Sequence, residues 1–123
     1  MMKSIILVSI GGALGSVFRY FTSIFINKYF YTLFPLATFL VNIVGCLLIG
    51  VLLGLLDKHL VVSSELKLFF VTGFCGAYTT FSTFSLENIN LLQSGNYFLA
   101  LLYIVLSISL GLLAVWLGFM LGK

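Results

Sequence analysis

The chain has 123 residues, of which 62% are hydrophobic and only 7% are charged. Soluble domains carry about 25% charged residues, so this composition argues against a water-soluble fold. Disorder is excluded, because disordered chains combine low hydrophobicity with high charge. The six Lys and Arg residues are scattered along the chain. Since they form no basic stripe, we exclude nucleic acid as a partner.

Four apolar segments follow one another, each near or above the roughly 20 residues that a membrane-spanning helix needs. Their connections are short, which favours antiparallel neighbours. In lipid only helices and closed barrels satisfy their own backbone. The sequence therefore predicts an all-α integral membrane protein with one four-helix domain, residues 1–123. The predicted spans are residues 4–30, 36–56, 66–92 and 97–121.

Small residues recur along the spans at helical spacing. Gly11 and Gly15 lie four residues apart in the first span. Such spacing lets helix backbones approach closely, so we predict tight helix pairs. Similar glycines occur in the second and fourth spans, at Gly45, Gly50, Gly54, Gly111 and Gly118.

Two polar residues, Arg19 and Asn42, lie within the first two predicted spans, where a polar side chain is energetically costly and usually has a function. Arg19 is fifteen residues into the first span, about 22 Å along it by the helical rise. It could extend toward the interface near Lys28, or contact a partner, or form an anion-attracting vestibule. Asn42 of the second span could bond a neighbouring helix or offer its amide to a pore. Both questions stay open at this point.

The third segment is the most polar one. Five hydroxyl residues fall within seven positions, namely Thr79, Thr80, Ser82, Thr83 and Ser85. On a continuous helix Thr79, Thr83 and Glu87 would share one face, at i, i+4 and i+8. A second face would carry Phe81, Phe84, Ser85 and Asn88.

A helix break is expected within this third segment. Gly73, Gly76 and the Thr79–Thr80 pair make a poor helix centre. A break would free backbone carbonyls, which in transporters bind ions such as Na⁺. Hydroxyl groups and the Asn42 amide can donate hydrogen bonds to a small anion. Phenylalanine edges carry partial positive charge, so the segment could offer weak anion sites without a strong charge. The alternative is that the hydroxyl groups hold neighbouring helices together and the phenylalanines only pack.

Three stretches carry a resemblance to a known family. They are GGALGSVFRY at residues 11–20, ATFLVNIVG at 37–45 and GFCGAYTTFSTFSLEN at 73–88. In their order and spacing the chain resembles the Fluc (CrcB) fluoride channels over essentially its whole length. One departure is Ala37, where the family commonly has glycine.

The resemblance implies a passive fluoride channel in the bacterial inner membrane, which lowers cytoplasmic fluoride. It implies an antiparallel, dual-topology homodimer with two pores, surrounded by membrane lipid. A structural Na⁺ at the dimer centre would be held by the backbone carbonyls of Gly76 and Thr79. No catalytic residue is implied, so the chain is not expected to be an enzyme.

The resemblance also assigns pore residues. Phe81 and Phe84 would line the pores, and Asn42 would be the pore asparagine. The polar track would use Ser82, Thr83 and Ser85, leading toward Glu87, with Tyr103 and Ser107 as looser suggestions. Arg19 matches the first-helix arginine, in a vestibule or structural role.

The charge distribution fits dual topology poorly. One side of the predicted membrane domain carries Lys3, Lys58, Lys67 and Lys123, and the other carries Lys28. This bias mildly favours termini inside the cell. We still favour dual topology, on the strength of the resemblance.

Three other functions fit the sequence less well. A small cation/proton antiporter would need a buried carboxylate in the first span, which has none. A thiol oxidoreductase would need CxxC, which is absent, and His59 in the predicted loop reads as a solvated residue. A purely structural subunit would not explain the polar third segment.

Overall fold

The computed structural model describes residues 1–58 and 64–123, which are helical apart from short connections. The predicted loop residue His59 lies outside the described residues. Three helical pieces, Ser64–Leu66, Lys67–Cys75 and Gly76–Tyr78, follow one another directly, and we number them together as α3 (residues 64–78). The other helices are α1 (Met2–Tyr29), α2 (Leu36–Lys58), α4 (Phe81–Gln93) and α5 (Tyr97–Gly122).

Three of the helices are long and apolar enough to cross a membrane, namely α1, α2 and α5. Their ends agree with the first, second and fourth predicted spans to within about two residues. The predicted span 66–92 is instead divided between α3 and α4. With 13 residues, α4 is shorter than the roughly 20 residues that a crossing helix needs. The chain is thus an all-α, multi-pass membrane protein whose third segment is interrupted.

The interruption follows a stretch of wide helical winding. In Lys67–Cys75 the backbone is π-helical, and at its end the Gly76 N–H donates to the carbonyl of Val71, five residues back. The helix then ends at Tyr78. Thr79 (φ −84°, ψ 158°) and Thr80 (φ −149°, ψ 120°) are extended before α4 begins. The break lies within the glycine- and threonine-rich stretch where the sequence indicates one.

Helices α2 and α5 pack along each other with their backbones in contact. A Cβ atom on Gly50 would overlap the carbonyl oxygen of Val115, and one on Gly118 would overlap that of Leu47. The close approach expected from the glycine spacing is therefore confirmed at these positions. Gly111 is different, since its Cβ would lie 3.6 Å from the Cys46 sulfur, an ordinary contact.

Helices α1 and α3 form the second close pair. A Cβ on Gly11 would overlap the carbonyl oxygen of Phe69, and one on Gly15 would overlap that of Phe74. From the other side, a Cβ on Gly73 would lie 3.0 Å from the carbonyl oxygen of Val8. This packing fixes α3 against α1 immediately before the break.

Helix α4 is less covered than the two packed pairs. It contacts mainly α5 and, to a lesser extent, α2. Around its exposed surface, Phe81 is 78% and Leu86 60% exposed, and the hydroxyl residues Ser82 and Thr83 are also exposed. A face that mixes aromatic and hydroxyl groups in this way is not satisfied by lipid tails alone.

The α2–α5 contact leads to a stability prediction. Gly118→Ala should destabilise the protein by about 1–3 kcal/mol, because the new methyl group meets backbone rather than a movable side chain. Thermal unfolding of the purified protein in detergent should show a Tm lower by several degrees. The matched control is Gly111→Ala, which should leave the Tm nearly unchanged. Equal Tm values for the two variants would contradict the packing described here.

Candidate functional site

The break between α3 and α4 is held by the side chain of Asn42 on α2. Its amide nitrogen donates to the carbonyl oxygen of Thr80 at 3.0 Å, and its oxygen accepts from the Thr80 N–H at 2.8 Å. One amide thus satisfies both backbone groups of an extended residue, which lipid could not do. Asn42 therefore does bond a neighbouring segment. Its second N–H is still available, because an amide nitrogen carries two donors.

The same pairing frees a carbonyl on α3. In an unbroken helix the Thr80 N–H would donate to Gly76, four residues back, but here it donates to Asn42. Gly76 is exposed, and a Cβ built on it would meet only the Val71 carbonyl oxygen, at 3.8 Å. Thr79 follows the last residue of α3, where carbonyls lack helical donors. Both residues expected to hold Na⁺ therefore lie at the break.

Hydroxyl groups cluster where α4 begins. The Thr80 hydroxyl oxygen accepts from the Thr83 N–H at 3.3 Å, which caps the helix. It also donates to the Thr83 hydroxyl at 3.2 Å and lies 3.4 Å from the Ser82 hydroxyl. Thr79 lies before the break, so it does not share a helix face with Thr83 and Glu87, as the continuous-helix pattern had indicated.

The carboxylate of Glu87 joins three helices. Its two oxygens accept from the Thr38 hydroxyl of α2 and from the Tyr103 hydroxyl of α5, each at 3.0 Å. Thr38 is 7% exposed and Tyr103 is fully buried. Sequence reasoning did not single out Thr38. The available signal was its position four residues before Asn42, which places both on one face of α2.

Aromatic rings lead from the exposed face of α4 toward this carboxylate. The ring centroids of Phe81 and Phe84 are 5.7 Å apart, with a 40° angle between the planes. Phe84 meets Tyr103 edge-on, at 4.9 Å and 66°. Tyr103 in turn packs edge-on against Phe34, at 5.2 Å. The rings of Phe81, Phe84 and Tyr103 therefore form a continuous aromatic series that ends at the carboxylate of Glu87.

One cavity of about 430 Å³ brings half of the expected site residues together. Within the described part of the chain, the Ser107 hydroxyl is buried there without a hydrogen-bond partner. That hydroxyl can donate a hydrogen bond to an ion or ligand in the cavity. The expected residues that line this cavity are Asn42, Gly76, Thr79, Phe81, Phe84 and Ser107.

Two further cavities are lined by other expected residues. A cavity of about 190 Å³ is lined by Arg19 together with Thr80 and Thr83, and one of about 520 Å³ is lined by Thr83 and Glu87. Arg19 forms no ion pair with any residue the structure describes. Its side chain thus faces a polar cavity between helices. Ser82 and Ser85 line none of these three cavities.

Comparison with known proteins identifies related channels. A family model described as CrcB-like protein, Camphor Resistance (CrcB), matches residues 6–119. Three similar proteins are each named fluoride-specific ion channel FluC. That of Flavobacterium psychrophilum is 57% identical over 122 residues, 99% of this chain and 98% of its own length. That of Azobacteroides pseudotrichonymphae is 50% identical over 123 residues, covering 100% and 98% of the two chains. That of Acidobacterium capsulatum is 47% identical over 116 residues, 94% and 93% of the two chains.

These names describe ion channels and not enzymes, in agreement with the expectation from the sequence. They also agree with the family resemblance seen in the three stretches of sequence.

The Asn42 pairing gives a testable prediction. Asn42→Ala should leave the Thr80 N–H and carbonyl without their partners, at a cost of about 1–3 kcal/mol for each group. We expect a clearly lower Tm in detergent. Asn90→Ala is the control, because the Asn90 side chain makes no hydrogen bond within the described residues. If Asn42→Ala unfolds at the temperature of the control, Asn42 does not hold the break.

Proposed function

The chain belongs to the CrcB-like family, and on that premise we propose that it is a fluoride channel of the bacterial inner membrane. It lets fluoride leave the cytoplasm passively. Hydrogen fluoride crosses membranes as a neutral acid and ionises inside, so fluoride accumulates there. The inside-negative potential then drives the anion out through an open path. The observation that carries the proposal is the cavity of about 430 Å³, which is lined both by neutral hydrogen-bond donors and by the rings of Phe81 and Phe84.

The cavity offers the chemistry that a small anion needs. The second Asn42 N–H and the unpartnered Ser107 hydroxyl can both donate to fluoride. The edges of Phe81 and Phe84 add weak positive potential. Since none of these groups is charged, each holds the ion weakly. Conduction depends on such weak sites in series, because an ion must leave as readily as it enters.

The proposed route continues along α4. The polar track would use the hydroxyls of Ser82, Thr83 and Ser85 and lead toward Glu87. Thr83 lines two of the cavities, whereas Ser82 and Ser85 would join the track with the second copy in place. A carboxylate repels an anion, but both Glu87 oxygens already accept hydroxyl hydrogen bonds, from Thr38 and Tyr103. These two hydrogen bonds partly compensate the negative charge of the carboxylate, which weakens its repulsion of a passing anion.

Arg19 supplies positive potential in this scheme. Arg19 lines the cavity of about 190 Å³ together with the track residue Thr83. Within the described residues Arg19 has no acidic partner, and a half-buried cation of this kind raises the local concentration of anions. We therefore assign Arg19 to a vestibule that attracts fluoride rather than to a contact with the lipid interface.

We propose that the working unit is an antiparallel homodimer. In each copy, α3 and α4 together would form a fourth, broken span. Phe81 is 78% exposed, and its neighbours Ser82 and Thr83 are exposed on the same helix. A second copy placed against α4 would cover this mixed face and close the open cavity. If the chain inserts into the membrane in both orientations, an antiparallel second copy is available to form this dimer.

The break also fits a structural Na⁺ at the dimer centre. The Gly76 carbonyl has lost its helical donor, and the space around Gly76 is open. Uncharged carbonyl oxygens, here from Gly76 and Thr79, are suitable ligands for a hard cation. A second copy would bring the same two carbonyls to the centre. When bound, Na⁺ would supply a fixed positive charge that stabilises both breaks.

Fluoride efflux from liposomes tests the proposal. Vesicles that contain the purified protein and are loaded with fluoride should release it much faster than protein-free vesicles, when a potassium ionophore balances the charge. Vesicles loaded with chloride should release it no faster than the protein-free control. Fluoride release at the protein-free rate would rule out the channel, and equally fast chloride release would rule out the selectivity.

The cation site has its own test. Replacing Na⁺ by a large organic cation on both sides of the membrane should lower fluoride efflux, because carbonyls at the break would lose their partner. Returning Na⁺ should restore the rate. Efflux that is the same in both solutions would show that the breaks need no Na⁺.

A further inference from the structure

The cavity of about 520 Å³ lies beyond Glu87, between α1, the α1–α2 connection and α4. Polar residues of α1 line this cavity, and the family resemblance assigns no role to them. These residues are Ser23 and Asn27, and Asn90 of α4 lies across from them in the same cavity.

The polar residues of α1 lie on one face. Arg19, Ser23 and Asn27 follow at i, i+4 and i+8, so they form a single stripe along the helix. The side of α1 that faces away is aromatic, with Phe21 exposed by 62% and Phe25 by 60%. The helix therefore separates an exposed aromatic side from a polar side whose residues line cavities.

The stripe connects two cavities. Ser23 lines both the Arg19 cavity and the cavity beyond Glu87, and so do Thr38 and Thr83. Cavities that share three lining residues adjoin each other. An ion near Arg19 or Thr83 therefore lies next to the larger cavity and to the polar side chains of its α1 wall.

The donors in the larger cavity are free and uncharged. Within the described residues, the side chains of Ser23, Asn27 and Asn90 form no hydrogen bonds. Each asparagine amide offers two N–H donors, and the serine offers one O–H. None of the described residues lining this cavity is a lysine or arginine. Neutral donors of this kind replace part of an ion's hydration without trapping it.

Building on the proposed fluoride conduction, we infer that this cavity is the end vestibule of the path. Ser23, Asn27 and Asn90 form its hydrogen-bonding wall. Fluoride that moves between bulk water and the Thr83–Glu87 part of the track accepts hydrogen bonds from these three side chains. The vestibule needs donors of its own, because it is the place where the ion must pass the Glu87 carboxylate.

Paired charge substitutions at Asn27 test the inference. Fluoride efflux from proteoliposomes, at low fluoride and low ionic strength, should fall about threefold or more for Asn27→Asp and rise for Asn27→Lys. Raising the ionic strength should shrink both effects through screening. Opposite signs at one position indicate an effect of charge on a passing anion, which a packing role would not produce.

Gln93 supplies the matched control. It lies on α4 three residues after Asn90, is exposed, and lines none of the three cavities. Gln93→Glu and Gln93→Lys should therefore leave the efflux rate near that of the unaltered protein. The inference is overturned if the Asn27 variants behave like the Gln93 variants while the unaltered protein conducts fluoride.

A second result would also overturn it. If Asn27→Asp and Asn27→Lys both elute as monomers by size exclusion, the cavity is a contact between copies and not a vestibule. Failure of the unaltered protein to conduct fluoride is a separate outcome, which counts against the proposed function itself.

Discussion

The fold depends on one interaction between a side chain and the backbone, the double hydrogen bond of Asn42 with Thr80. A helix interrupted at membrane depth exposes polar backbone groups that lipid cannot satisfy. The Asn42 amide satisfies two of them at once, and this allows α3 to end and α4 to begin. The break then determines which carbonyls are free and where the Thr80–Thr83 hydroxyl cluster lies. It also places Phe81 at the exposed start of α4.

Low charge is what suits the site to a small anion. A strongly charged pore would bind fluoride too firmly to release it, whereas in the proposed channel hydroxyls, amides and ring edges would bind it weakly at several points. The two charged residues near the proposed path, Glu87 and Arg19, both have polar neighbours. Glu87 has both oxygens bonded by the hydroxyls of Thr38 and Tyr103, and Arg19 lies among hydroxyl residues.

Local pattern was enough to predict part of this structure. Helices α1, α2 and α5 follow from continuous apolar runs, and the glycine and threonine content of residues 73–80 indicated the interruption. The glycine spacing predicted close helix pairs, but the residues that pair across helices could not be predicted. Helical periodicity says nothing about which residues of different helices meet. The pairing of Asn42 with Thr80 spans 38 positions, and the bond of Thr38 to Glu87 spans 49. The role of Thr38 was missed for this reason.

The central claim is that fluoride crosses this protein passively, through neutral groups and without coupling to another ion. Its most direct test is the reversal potential of the current across a planar bilayer that holds a fluoride gradient, with separate pH and chloride gradients imposed in turn. The account predicts a reversal potential at the fluoride equilibrium value, unmoved by either added gradient. A reversal potential that shifts with pH or with chloride would contradict it.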